Sequence, residues 1–300
     1  MHKPSPLRRG DLIGLVSPGA AVDELNLNAG VRVLEAAGFR ARVGAAARKK
    51  HGYLAGTDAE RAADLNEMFR DPEVRAIITA RGGYGSGRIL PSLDLAAAQA
   101  DPKIFIGHSD ITFLLSALQE KAELVVFHGP MAASLAHQPE AAVHLTAVLR
   151  GERLVWQHAA HAVIQGGIAE GVLSGGCLSI LVSMLGTPWA PQTRDRILFL
   201  EEVNEKPYRI DRMLTQLRHA GLLDGVAGVV FGEMEGCAAG PNERVTVRDV
   251  IAEAFASAPY PVAFGLPSGH GRGTLTLPFG IRVRLAGERL TLLESPLKQG

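Results

Sequence analysis

Over the first 130 residues short apolar runs alternate with amphipathic stretches, and this alternation leaves the chain few folds to adopt. Runs suited to strands are Asp11 to Val16, Ala41 to Gly44, Ala76 to Thr79, Lys103 to Ile106 and Leu124 to Phe127. Between them lie helical patterns at Glu24 to Ala37 (apolar at Leu25, Val31, Val33 and Leu34), Ala59 to Phe69 and Ile111 to Gln119. Short strands separated by helices of about 10–15 residues build βαβ units and a parallel sheet. Ligands of such sheets sit beyond the carboxyl ends of the strands. Three loops with unusual chemistry leave strands there: Ser17-Pro18-Gly19-Ala20, Arg81-Gly82-Gly83-Tyr84-Gly85 and Gly107-His108-Ser109-Asp110.

Beyond residue 130 the pattern changes. Ser134 to Gly167 is rich in Ala, His and Gln and poorly periodic, which reads as a linker. Gly175-Gly176-Cys177 opens a predicted helix to Leu185, and Arg196 to Leu200 is a strand that meets Glu201-Glu202. Pro207 to His219 is helical, with proline in the first turn and Gly221 closing it. A strand at Val226 to Phe231, a helix at Thr246 to Ala256 and a strand at Val262 to Gly265 follow. Thr274 to Leu277 and Arg282 to Glu294 alternate as hairpins do, turning at Ala286-Gly287. The predicted fold is α/β, with an N-terminal parallel-sheet domain over 1–140, a linker over 141–166 and a mixed α/β domain over 167–300 that ends in antiparallel strands.

With 300 residues there is length for two such domains. Lys+Arg and Asp+Glu both number 31, so no charge excess advertises nucleic acid or an anionic membrane as partner. The apolar run from Leu12 to Val16 is too short for a secretory leader, and no stretch approaches a membrane span. The expectation is a cytoplasmic protein. Cys177 and Cys237 show neither metal-ligand spacing nor a disulfide framework, and buried thiols are expected.

The turn at Ser109 joins a strand directly to a helix, which lifts a hydroxyl to a helix N-terminus where backbone N–H groups stabilise negative charge. Capping the helix is the ordinary use of Ser109 or Asp110 at such a place. A chemical role needs a base and an orienting carboxylate as well. Of the ten histidines, His137, His158 and His161 fall in the linker stretch, His2 and His51 beside Lys/Gly segments, and His219 on a helix face. His270 follows a strand, in Pro267-Ser268-Gly269-His270-Gly271-Arg272-Gly273, where glycines permit close approach. The carboxylates at the end of the apolar strand Ile197 to Leu200 are Glu201 and Glu202. Successive strand residues face opposite ways, so one of the two is structural. For an oxyanion hole the Asp110 N–H is one donor and the Gly82-Gly83 pair brings the second, Gly83 being the candidate once the reaction is an acyl transfer. Gly82 to Gly87 lacks GxxxxGK[ST] and GxGxxG, and Gly107 to Ile111 departs from GxSxG at its last position.

Taken together these residues resemble the bacterial serine LD-carboxypeptidases, which release the C-terminal D-alanine of murein tetrapeptides, and the related microcin-immunity carboxypeptidases. The resemblance runs through Val16-Ser17-Pro18-Gly19, Ala80 to Gly85, Gly107 to Thr112, His128-Gly129-Pro130-Met131 and Gly175 to Leu178. It continues through Gly186-Thr187-Pro188, Leu200 to Val203, Tyr208 to Arg212, Gly269-His270 and Leu277 to Gly280. It implies Ser109 as nucleophile, His270 as general base and Glu201 as its orienter, in a homodimer that needs no metal or cofactor. Two positions depart from the family pattern: His108 stands where an aromatic, commonly Tyr, is usual, and Cys177 where Asn is usual. The His108 imidazole, adjoining the serine, has three uses open to it: contact with substrate, competition with His270 as base, or sideways packing, which is the more usual one before such a serine. Cys177 forgoes the hydrogen bonds of an amide.

The implied reaction is hydrolysis of the L,D-peptide bond to a terminal D-alanine through an acyl-enzyme, with a small peptide as partner. Arg81 is the candidate for the substrate carboxylate. Two rival readings stand beside this one. In the first, the immunity-type cleavage of a peptidyl-nucleotide amide, Trp189 stacks a base. In the second, a non-catalytic ligand-binding α/β protein, Ser109 only caps a helix.

Overall fold

A computed structural model describes residues 1–152, 157–240, 244–271 and 274–299. It divides into two compact units, one of Met1–Leu154, Leu275–Gly280 and Ser295–Gly300, the other of Val155–Thr274 and Ile281–Glu294.

The first unit contains β1 (Leu12–Val16), α1 (Glu24–Ala36), β2 (Arg40–Val43), α2 (Asp58–Arg70), β3 (Val74–Thr79), α3 (Leu95–Ala100) and β4 (Ile104–Gly107). α4 (Thr112–Lys121), β5 (Val126–His128) and α5 (Pro139–Arg150) complete the run. Local chemistry sets the helix starts. The Asp23 carboxylate caps α1 at the Asn26 N–H, and Thr57 and Glu60 form a reciprocal capping box on α2. β1 and β4 are buried at every position, as strands of a sheet covered on both faces are.

The second unit begins with β6 (Gln157–Ala159), β7 (Ala162–Gln165), β8 (Ile168–Cys177), α6 (Leu178–Ser183) and β9 (Arg196–Val203). α7 (Pro207–His219), β10 (Gly228–Glu235), α8 (Val247–Ala254) and β11 (Val262–Phe264) follow. In α7 the buried residues Pro207, Ile210, Leu214 and Leu217 recur at helical spacing, and His219 at its end is exposed. Then β12 (Leu277–Phe279) pairs antiparallel with β5 in the first unit, while β13 (Arg282–Ala286) and β14 (Arg289–Leu292) belong to the second.

Among the described residues the strand orders are β12-β5-β4-β3-β1-β2 in the first sheet and β6-β14-β13-β8-β9-β10-β11-β7 in the second. The first sheet is parallel except at its β12 edge. The second has a parallel centre, β8-β9-β10-β11, flanked by antiparallel strands. The fold is thus α/β with a parallel first sheet and a mixed second one. Among the described residues no helix is long and apolar enough to cross a membrane.

Three readings need correction. The stretch 141–166, read as a linker, holds most of α5 and the strands β6 and β7. The buried face of α5 is Ala141, Ala142, Leu145, Val148 and Leu149, and its alanines contrast too weakly with their neighbours to show a period. Gly175-Gly176-Cys177 does not open a helix; it ends β8, with Gly175 and Gly176 at φ 134° and 140°, and α6 starts at Leu178. Finally, Leu275–Gly280 and Ser295–Gly300, placed by sequence in the second domain, return to the first unit. The hairpin is confined to β13 and β14, which turn through Gly287 at φ 58°.

Candidate functional site

In the first unit the chain leaves β4 at Gly107 and turns sharply at Ser109, whose φ is 62°. That left-handed conformation is unusual for a residue with a Cβ, and it is a strained geometry found at functional turns. A 3₁₀ turn over Ser109–Ile111 leads into α4. Ser109 is half-buried. A Cβ on Gly107 would come within 2.6 Å of both Ile111 and Thr79, so only glycine lets β4 and the turn approach this closely.

The three loops singled out by sequence converge here. The Ala20 N–H donates to the Gly82 carbonyl at 3.0 Å. A Cβ on Gly19 would meet that same carbonyl and Asp110 Oδ2 at 2.8 Å each. A Cβ on Gly82 would lie 3.1 Å from the Ser109 Cβ and 3.4 Å from the Asp110 nitrogen. Gly83, next in the chain, has φ 82°. Among the described residues neither the Asp110 N–H nor the Gly83 N–H donates a hydrogen bond.

The Asp110 side chain has a role that sequence did not suggest. Its buried carboxylate accepts from the N–H groups of Gly85 (3.2 Å) and Ser86 (2.8 Å), and the Ser86 hydroxyl donates to the Asp110 carbonyl at 2.6 Å. Burial pushes this carboxyl above its usual range, against those donors and the charge of Arg61.

His108 packs sideways, as such a residue is expected to. Its Nδ1–H donates to the Gly129 carbonyl at 2.9 Å, and its ring lies 5.8 Å from that of His128. Arg81 is exposed and donates to the Ala21 carbonyl at 3.0 Å. It lines a cavity of about 810 Å³ together with Gly83, Lys50, Tyr53 and Tyr84.

In the second unit the structure brings His270 and Glu201 together. The Nδ1–H of His270 donates to Glu201 Oε2 at 2.6 Å, with the glutamate fully buried at the end of β9. Burial lowers the His270 pKa below its ordinary 6.5, and the carboxylates of Glu202, Glu233 and Glu235 oppose that shift. Glu202 faces the other way. It accepts from the N–H groups of Ser179 (2.7 Å) and Val203 (2.9 Å), and the Cys177 thiol points at it from 3.4 Å. Arg209 pairs with Glu205, and Arg212 lies over the Tyr208 ring.

Glu233, in β10, was not apparent from sequence because the apolar run stops at Phe231. Its carboxylate accepts from the Gly271 N–H at 2.8 Å, and Thr274 Oγ1 lies 3.4 Å from it and 2.9 Å from the Gly269 carbonyl. The loop carrying His270 is anchored on both sides of the imidazole. Arg272 and Gly273, also part of the sequence reading, lie outside the described residues.

The first unit thus holds a half-buried serine in a strained strand-to-helix turn, and the second a histidine held by a buried glutamate. Comparison with known proteins gives the class. Residues 13–129 match the LD-carboxypeptidase N-terminal domain and residues 170–285 the LD-carboxypeptidase C-terminal domain. The chain is 36% identical to the probable murein peptide carboxypeptidase of Bacillus subtilis, over 100% of this chain and 96% of that protein. It is 34% identical to the murein tetrapeptide carboxypeptidase of Pseudomonas aeruginosa, over 93% and 94%. Among solved structures, the wild-type microcin C7 self-immunity protein MccF in its apo state aligns with a TM-score of 0.91 at 25% identity, covering 99% of this chain and 100% of that one. The chain belongs to the LD-carboxypeptidase family, and its class of activity is that of a hydrolase.

Proposed function

We infer that this protein is a serine carboxypeptidase that hydrolyses the L,D-peptide bond to the C-terminal D-alanine of murein tetrapeptides. The observation that carries the reading is the 2.6 Å bond from His270 Nδ1 to the buried Glu201, the orienter–base half of a Ser-His-acid triad. The strained turn at Ser109 supports the other half. Holding Nδ1–H on the glutamate fixes the tautomer in which Nε2 accepts a proton. A His270 pKa below 6.5 keeps that nitrogen unprotonated near neutral pH.

In the proposed reaction His270 Nε2 takes the Ser109 proton as Oγ attacks the carbonyl carbon before D-alanine. The N–H groups of Asp110 and Gly83 stabilise the oxyanion. His270 then protonates the leaving amine, D-alanine departs, and water activated by the same imidazole releases the acyl group. Arg81, beside Gly83 in its cavity, is the candidate for the substrate carboxylate. The chemistry calls on no metal or cofactor. The resemblance also carries the expectation of a homodimer, which sedimentation of the purified protein checks, and the sequence that of a cytoplasmic location, which cell fractionation checks.

The deciding test is incubation with murein tetrapeptide and, separately, with a peptidyl-adenylate analogue, following products by mass. Release of D-alanine from the tetrapeptide, lost in Ser109→Ala without loss of fold, is the expected result. The structural likeness to MccF favours one second reading, cleavage of a peptidyl-nucleotide amide, which turnover of the adenylate alone would select. A purely ligand-binding protein would leave a fluorophosphonate probe unreacted.

A further inference from the structure

Arg61 is a charged residue inside the first unit that the proposed reaction does not use. Its side chain is fully buried, a costly place for a guanidinium unless acceptors surround it. Three do. Nη1 donates to the Pro18 carbonyl, in the loop after β1, and to the Gly85 carbonyl 2.9 Å away, in the loop after β3. Nη2 donates to the Asp58 carboxylate one turn earlier in α2.

Gly85 is gripped from its other side as well. Its N–H donates to Asp110 Oδ1 at 3.2 Å, and the following N–H, of Ser86, donates to Oδ2 at 2.8 Å. One residue therefore has its carbonyl on a buried cation and its N–H on a buried anion. It has φ 119°, and a Cβ there would lie 2.5 Å from Leu54 Cδ2, so only glycine fits at this point of the loop.

Two residues upstream is Gly83. A donor lowers a barrier only if it is in place before the oxyanion develops. Glycines at 82, 83 and 85 offer no side chains to hold the loop. Buried ions are a weak source of stability, and one attested use is to specify a geometry.

We propose that Arg61 is a positioning residue for the reaction: together with Asp110 it clamps Gly85 and so sets the Gly83 N–H where the tetrahedral oxyanion forms. Through Pro18 it ties the loop after β1 to the same frame. This rests on the reading of Gly83 as an oxyanion donor.

The test compares Arg61→Met and Arg61→Lys in the full-length protein. It reads melting temperature, kcat and KM on murein tetrapeptide, and the rate at which a fluorophosphonate reacts with Ser109. In Arg61→Met, kcat and the phosphonylation rate are expected to fall together by about 10- to 100-fold, since outright loss of an oxyanion donor costs about 10²–10³. KM stays within about twofold. Arg61→Lys, with one point charge in place of a two-carbonyl fork, is expected to fall between, and it carries the test if the Met variant does not fold. A lowered melting temperature with both rates unchanged per folded molecule overturns the proposal, and so does a raised KM at constant kcat. Failure of the underlying reading shows elsewhere: a wild-type protein that neither turns over the peptide nor labels at Ser109 removes the serine chemistry, and the proposal with it.

Discussion

The Nδ1–H of His270 donates to Glu201 Oε2 across 2.6 Å, joining a glycine-flanked loop to the end of a strand 69 residues earlier. The glutamate has no exposed surface and the imidazole little, so their bond is made in a poorly screened setting. Glu202, one residue on, is also buried yet turned to the opposite face, where it accepts the Ser179 N–H. The strand's two-residue period divides the acidic pair into two roles.

Glu201→Gln and Glu202→Gln should therefore fail differently. The first removes the acceptor that fixes the His270 tautomer and stabilises the imidazolium, and kcat should fall by about 10³–10⁴ with little change in melting temperature. The second weakens the strand-to-helix junction at Ser179 and Cys177 and should cost about 1–3 kcal/mol of stability, with kcat of the folded protein nearly kept. Steady-state kinetics and thermal melts on both variants check this, and a reversed pattern would make Glu202 the orienting acid.

In the proposed reaction His270 must be unprotonated, so activity is expected to be lost as pH falls through the pKa of that imidazole. Burial sets this pKa below the ordinary 6.5. The acid limb of kcat/KM should accordingly lie below pH 6.5. Glu233→Gln removes one of the carboxylates that raise the pKa, while its amide oxygen can still accept the Gly271 N–H. The limb should move to lower pH still. A pH–rate profile of the two proteins decides, and a shift to higher pH would contradict the assignment of His270 as base.

The serine turn was legible because both flanks carry strong local signals, an apolar run into β4 and a helical pattern out of it. The His270–Glu201 contact was not, since spacing along a chain carries no information about pairing between distant loops. The need for a base and an orienting acid singled out His270 and the Glu201-Glu202 pair separately, and the ordered family motifs joined them. The glycines at 175 and 176 misled for a related reason: glycine marks a left-handed backbone equally at a strand end and before a helix. Arg61 was visible in principle. It stands four residues before Leu65 on the face of α2 that also carries Met68 and Phe69, all buried, and a charge on an apolar face signals a buried cation with partners.

Both thiols should be inert in the native protein. Cys177 and Cys237 are buried and form no disulfide. Burial pushes the Cys177 thiol well above 9.0, with Glu201 and Glu202 adding to the shift, and raises Cys237 to about 11. At pH 8 an aromatic disulfide reagent should titrate about zero thiols, and both after unfolding. Rapid native labelling accompanied by loss of turnover would show that the β8–α6 junction opens.

The strain at Ser109 should be measurable as stability. At φ 62° any residue with a Cβ sits in the left-handed region at a cost of about 1–2 kcal/mol. Ser109→Ala removes the proposed nucleophile and keeps that cost. Ser109→Gly removes both, although glycine's greater freedom in the unfolded chain returns roughly 0.5–1 kcal/mol. Both variants should be inactive, with the glycine form more stable by about 0.5–1 kcal/mol in denaturant melts. Glycine less stable than alanine would mean that the turn is held without strain, and that the hydroxyl's position owes nothing to energy stored in the backbone.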